Sequence, residues 1–232
     1  MSNGRQALLG FEYQATVNLD LILSLFQGST QDAVVRPEGE DDLVLIQASE
    51  SSIHYYQIKK PKEFESGKSK AEPWSLAEVT TRLLDGTVDR LRDNENRQTW
   101  ILGDPLQSAV QRLLLVGAEA PTREPTGYFY ALHVLAFGRS ESLSSEKKHP
   151  FIGWKPRSCI SIPSLVAAFR SYAARRKVSA GFLAEYEQKI SEINSVLPSV
   201  LSRIEIRSCY GSENEIIDRI RMTLLSHYQL DL

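Results

Sequence analysis

Two apolar runs, residues 43–46 and 53–58, separated by the short polar stretch 48–52, constrain this chain more than any other feature. A connection that short cannot carry a crossover, so the two runs are expected to pair as antiparallel strands of a β-hairpin. A turn centred between Ser49 and Glu50 sets Asp42 opposite Gln57. Side chains alternate along a strand, so Ile58 points to the core while Gln57 and Lys59 share the other face. Ala33, Val34 and Val35 add a short strand ahead of the hairpin.

Around the hairpin the period changes. Leu8, Phe11, Ala15, Leu19, Ile22 and Phe26 recur at offsets of three and four, which predicts an amphipathic helix over 7–27 stopped by Gly28. Residues 61–73, with Pro61, Gly67 and Pro73 and no periodicity, read as an exposed loop. A helix is predicted over 75–93, a strand over 99–102, a helix over 107–116 and a strand over 128–137. Beyond a polar stretch at 138–156, helices are predicted at 163–176 and 180–196, then a strand at 203–207. Ser212 with Glu215 forms a capping box that opens a last helix through Ile216, Ile220 and Leu224. The expected fold class is α/β: a mixed central sheet carrying the hairpin, flanked by helices. With 232 residues, 42% of them hydrophobic, the chain is expected to be a single domain, its core over about 1–137 plus 200–228 and a helical insertion over about 138–199.

Several function classes drop out. Lys+Arg 27 against Asp+Glu 29 gives a net charge of −2, which excludes a polycation that binds nucleic acid over its whole surface. Cys159 and Cys209 lack CxxC spacing and read as free thiols of a reducing cytoplasm. His54, His133, His149 and His227 lack metal-ligand spacing, and no Walker-type phosphate loop occurs. No apolar run approaches the roughly 18 residues of a spanning helix, and no secretion signal is evident, so a cytoplasmic protein without membrane contact is expected. The chain stops soon after its last helix, and is read as the N-terminal part of a longer effector.

The chemistry concentrates in Glu38-Gly39-Glu40-Asp41-Asp42 and in Tyr55-Tyr56-Gln57-Ile58-Lys59-Lys60. Directly opposed strand residues hold their Cβ atoms roughly 4.5–5.5 Å apart, close enough for Asp42 and Gln57 to share one ion. An acid, an amide oxygen and an ammonium at one sheet edge suit phosphodiester hydrolysis. Mg²⁺ takes hard oxygen ligands and activates water, while a lysine stabilises charge building on phosphoryl oxygens. Beyond the hairpin, Lys60, Lys62, Lys68 and Lys70 form a basic run, diluted by Glu63 and Glu65, that would clamp DNA phosphates or serve as a solvated loop.

The run from Glu38 to Asp42, a hairpin, and Gln57-Ile58-Lys59 resembles the PD-(D/E)XK restriction-endonuclease-like superfamily, in the variant where glutamine replaces the acid before the lysine. Gly10-Phe11-Glu12-Tyr13-Gln14 in the first helix is similar to the effector nuclease domains of bacterial antiphage systems, the group joined to cyclic-oligonucleotide sensors or STAND-type ATPases. The resemblance is clearest over residues 4–60. It implies a restriction-endonuclease-like fold and a Mg²⁺-dependent endonuclease of double-stranded DNA with little sequence preference, Mn²⁺ being expected to substitute. Asp42, Gln57 and Lys59 would be catalytic, and Asp42, Gln57, Glu12 and Glu38 would hold the metal. A fused or separate sensor or ATPase module and a homo-oligomer are the implied partners. Tyr13 and Gln14 are expected to brace the site. Two rivals share these residues: a nuclease-fold module for binding or assembly that has lost catalysis, and an RNA-directed nuclease.

Overall fold

Five strands form one sheet in the order β1-β2-β3-β4-β5. They are β1 (Ala33–Pro37), β2 (Leu43–Gln47), β3 (Ser52–Lys59), β4 (Arg97–Gly103) and β5 (Ile204–Arg207). The computed structural model describes residues 2–27, 33–37, 42–47, 51–59, 73–93, 95–103, 106–139, 153–207 and 211–228. β2 runs antiparallel to both β1 and β3, and β4 joins β3 in parallel. The sheet is therefore mixed. Leu43 pairs with Tyr56 and Leu45 with His54, the register that a turn between Ser49 and Glu50 requires.

The chain divides into two compact units. The first comprises Met1–Trp74, Glu95–Leu106 and Glu205–Leu232. It contains the sheet with helices α1 (Ser2–Gln27) and α9 (Glu213–Tyr228). Its core joins Tyr13, Val17 and Leu21 of α1, Leu43 and Leu45 of β2, Tyr56 and Ile58 of β3, Leu102 of β4, and Ile216 and Ile220 of α9. Ile58 thus faces this core, as strand alternation requires. Tyr13 ties α1 to the start of α9 by donating its hydroxyl to the Gly211 carbonyl at 3.1 Å. The capping box forms as expected: the Ser212 N–H and hydroxyl donate to the Glu215 carboxylate at 2.6 and 2.8 Å, and the Glu215 N–H returns to the Ser212 hydroxyl.

Helix α1 turns a different face inward from the one its apolar period marks. Phe11 is 61% exposed and Leu19 46% exposed, with Ala15 also exposed between them. The buried face instead includes Asn18 and Asp20 beside Tyr13, Val17 and Leu21. Both polar residues find specific partners: Asn18 bonds the Asp42 main chain, and Asp20 pairs with Arg219 of α9 at 3.0 Å. Hydrophobic periodicity cannot register a core face that carries bonded polar groups.

The second unit, Ser75–Asn94 with Gln107–Ile204, is helical. Its elements are α2 (Leu76–Val79), a π-helical segment Thr80–Leu84, α3 (Asp85–Arg92), α4 (Ser108–Val116), α5 (Ala120–Arg123), α6 (Pro125–Gly138), α7 (Ile162–Ala174) and α8 (Ala180–Leu201). Residues 128–137, expected as a strand, form most of α6. Its residues Gly127 through Phe137 are all buried, so no polar face interrupts the apolar run, and a helix buried all round has the same pattern as a buried strand. Pro125 at the first helical position is the local signal for a helix.

Aromatic packing closes this unit. His133 and Phe137 of α6 meet Phe169 of α7 and Phe182 and Tyr186 of α8, and the His133 Nδ1 lies 2.9 Å from the Tyr186 hydroxyl. Gly117, with φ +44°, ends α4 against the backbone of Ser202, where a Cβ would lie 3.0 Å from the Ser202 Cα. Arg139, at the end of α6, binds the carboxylates of Asp85 at 2.8 Å and Asp89 at 2.9 Å on α3.

Candidate metal-binding hairpin

The hairpin opens at its end away from the turn, where β2 begins and β3 finishes. Asp42 stands one residue before β2, which brings it level with Gln57 when the strand register is continued. Its carboxylate is held on both oxygens. Oδ2 accepts the Ile58 main-chain N–H at 2.6 Å, and Oδ1 accepts the Gln14 amide at 3.0 Å. The Asp42 carbonyl in turn accepts the Asn18 amide at 3.0 Å. Gln14 and Asn18 lie four residues apart, hence on one face of α1, and clasp Asp42 by its side chain and its backbone together. The bracing expected of Gln14 is present. Asn18 escaped the sequence reading, although the four-residue spacing from Gln14 is the signal that could have marked it.

Gln14 Nε2 also lies 3.5 Å from the Ile58 carbonyl oxygen. Two oxygens, Asp42 Oδ1 and Ile58 O, therefore converge on one amide donor. Gln57, on the central strand between β2 and β4 and level with Ile101, is 3% exposed. Lys59 ends β3 level with Gly103. Glu12 is exposed on α1. Lying two residues from Gln14, it is about 200° round the helix from the side chain that reaches Asp42, and the structure does not bring it to that carboxylate. Glu38, Lys60, Lys62, Lys68 and Lys70 lie outside the described residues.

No family model, curated protein or solved structure matches this chain. The site must be judged on its own donors. A hard cation takes carboxylate, carbonyl and amide oxygens, and Mg²⁺ in particular is often held by one or two carboxylates with water and substrate phosphate completing its shell. Asp42, the Ile58 carbonyl and Gln57 are of that type, so the donor chemistry fits. The charge is modest: among the described residues no group of three His, Cys, Asp or Glu side chains gathers in one place.

On the core face of the same strands the electrostatics differ. Tyr56 stacks with Trp100 at 6.0 Å, and the Arg207 guanidinium stands 4.5 Å over the Trp100 ring. Burial pushes the Tyr56 phenol above its ordinary range, Arg207 pulls it back and Glu205 adds to the rise. That face is a packed layer, which leaves the open end of the hairpin as the place where polar donors converge.

Proposed function

We propose that this chain is a Mg²⁺-dependent endonuclease of restriction-endonuclease-like fold that cleaves double-stranded DNA with little sequence preference, as an effector of antiphage defence in the cytoplasm. The observation that carries the reading is the clasped Asp42: a carboxylate fixed at the mouth of a hairpin, level with Gln57 and converging with the Ile58 carbonyl. Asp42, Gln57 and the Ile58 carbonyl would hold the ion, which when bound would polarise a phosphate and lower the pKa of a water. Gln14 and Asn18 keep the Asp42 carboxylate in one rotamer, so less ordering remains to be done when substrate arrives. Lys59, ending the same strand, is assigned the stabilisation of phosphoryl charge. Glu12 and Glu38 are retained as supplementary acids, and a sensor or ATPase module and self-association as the means of control.

Supercoiled plasmid incubated with the protein in Mg²⁺ or Mn²⁺ should be nicked and then linearised, and Lys59→Ala should abolish cutting without loss of fold. A folded Lys59→Ala protein that cuts as well as wild type sinks the assignment. One observation favours the second reading, a binding or assembly module without catalysis. Both Asp42 oxygens already accept hydrogen bonds and Gln57 is almost fully buried, as in a purely structural bracket. Absence of metal binding by calorimetry together with absence of cleavage selects that reading.

A further inference from the structure

We propose that the helical unit carries a second functional surface, a phosphate-backbone contact for duplex DNA built from Lys155, Arg157, Arg175, Arg176 and Lys177 around the Trp154–Tyr172 stack. The choice of duplex DNA rests on the nuclease reading, whereas the surface itself rests on the following geometry. Although the chain is net −2, residues 153–184 contain no Asp or Glu, while they contain Lys155, Arg157, Arg170, Arg175, Arg176 and Lys177. Arg170 is accounted for, since its guanidinium makes a two-pronged pair with Glu187, both bonds at 2.6 Å. Lys155, Arg157, Arg175 and Lys177 are exposed and make no ion pair with a described residue.

Cations at the end of a helix complement its dipole, and Arg175–Lys177 follow α7 directly. That explanation does not reach Lys155 and Arg157, which come from the segment before α7. Nor does it explain Arg176, which stands 4.1 Å over the Tyr172 ring. Tyr172 stacks on Trp154 at 5.6 Å, and Trp154 meets the buried His133 edge-on at 4.8 Å. The guanidinium is thus the outermost member of a column rooted in the core. Lys155 is the chain neighbour of Trp154, which brings the two cationic segments to the same column. Lys177 adopts φ +53°, a left-handed position where glycine is the usual residue and where a side chain costs about 1–2 kcal/mol.

The chemistry selects a phosphate backbone. Arg176, held over the Tyr172 ring, has less freedom to lose on binding, and several cations from two segments beside one column suit a repeating anion. Tyr172 already carries both Arg176 and Trp154, so it is engaged rather than waiting to stack on an unpaired base, and a duplex fits better than a single strand.

The full chain, held in EDTA so that no cleavage occurs, is titrated into a fluorescent duplex of about 20 base pairs at several salt concentrations. Wild type should bind with a steep salt dependence. The triple variant Lys155→Ala, Arg175→Ala, Lys177→Ala should lose at least about tenfold in affinity near 0.1 M salt, and its logarithmic salt slope should shrink by about 2–3. Arg176→Lys, which keeps the charge but not the stacked plane, should bind a few-fold more weakly than wild type. Unchanged affinity and slope in the triple variant overturn the proposal, as does tighter wild-type binding to anionic phospholipid vesicles than to duplex. Should circular dichroism show the triple variant perturbed, the single changes Lys155→Ala and Arg175→Ala are each expected to lower the slope by about 1. Binding that depends on these cations without any cleavage in Mg²⁺ removes the nuclease reading and leaves the surface standing. Cleavage by wild type with binding indifferent to the cations does the reverse.

Discussion

Replacing Asp42 by alanine and by asparagine separates what its carboxylate does for the fold from what it does for a bound ion. Alanine removes the acceptor of the Ile58 N–H at 2.6 Å and of the Gln14 amide at 3.0 Å. Ile58 is 1% exposed, so its N–H is left without water to replace the lost oxygen, at a cost of about 1–3 kcal/mol. Gln14 is half-buried and can be hydrated, which adds less. A total of roughly 2–4 kcal/mol follows, a large part of a typical domain's stability. Asp42→Asn keeps one oxygen for the Ile58 N–H and can satisfy Gln14 once that amide rotates to present its oxygen, so it should cost about 1 kcal/mol. Urea unfolding followed by far-ultraviolet circular dichroism measures both. The metal role is read on Asp42→Asn, which stays folded. It should lose Mg²⁺ affinity by calorimetry and lose plasmid cutting, because an amide is a weaker ligand than a carboxylate. If Asp42→Ala unfolds within about 0.5 kcal/mol of wild type, below the cost of a single neutral hydrogen bond, the clasp described here contributes nothing and the reasoning fails.

Gln57→Glu places a carboxylate where exposure is 3%, so the variant should melt below wild type in EDTA and regain stability in Mg²⁺; a melting temperature indifferent to Mg²⁺ removes Gln57 from any ion's shell. Gly117→Ala should destabilise by roughly 2–4 kcal/mol in urea, since it forces a positive φ and drives a Cβ against the Ser202 backbone; an unfolding midpoint equal to wild type would contradict the approach seen there. Burial raises the phenols of Tyr128, Tyr130 and Tyr186 above the ordinary value near 10, so the folded state holds their protons longer than the unfolded state does. Stability should be intact below pH 10 and fall above it, by up to about 1.4 kcal/mol per pH unit for each tyrosine, with ionisation at 295 nm coinciding with loss of helix. Gradual tyrosine ionisation while the helix signal persists would refute this.

How far the fold can be read from the sequence depends on what kind of signal each element carries. The hairpin was fully legible, because alternation and a short polar connection fix a register with no freedom left, and Leu43 does lie against Tyr56. Helix α9 was legible through Ser212 and Glu215, whose reciprocal bonds are local and need no tertiary information. Helix α1 was legible as a helix but not as an orientation. Its inner face is decided by Asn18 meeting Asp42 and by Asp20 meeting Arg219, partners 24 and 199 residues away. Helix α6 was misread because burial on all sides erases the contrast on which period analysis works. Of the candidate site, Asp42 and Gln57 are brought level as expected. The clasp from Asn18 and the outward position of Glu12 follow from how α1 is rotated, which no local pattern encodes.

The sheet-bearing unit is written in three separate stretches of chain, and its core is closed by Ile216 and Ile220 of the last helix. At synthesis rates of about 5–20 residues per second, α1 waits roughly 10–40 s after its own emergence before α9 exists to pack against it. Throughout that interval Asp20 has no Arg219 and Tyr13 has no Gly211 carbonyl. A nascent chain can form the hairpin but not the finished layer beneath it, so a rigid placement of α1 is withheld until α9 has been made. The order of the segments along the chain then acts as a clock: the layer that carries the Asp42 clasp is completed only after the helical unit has been made.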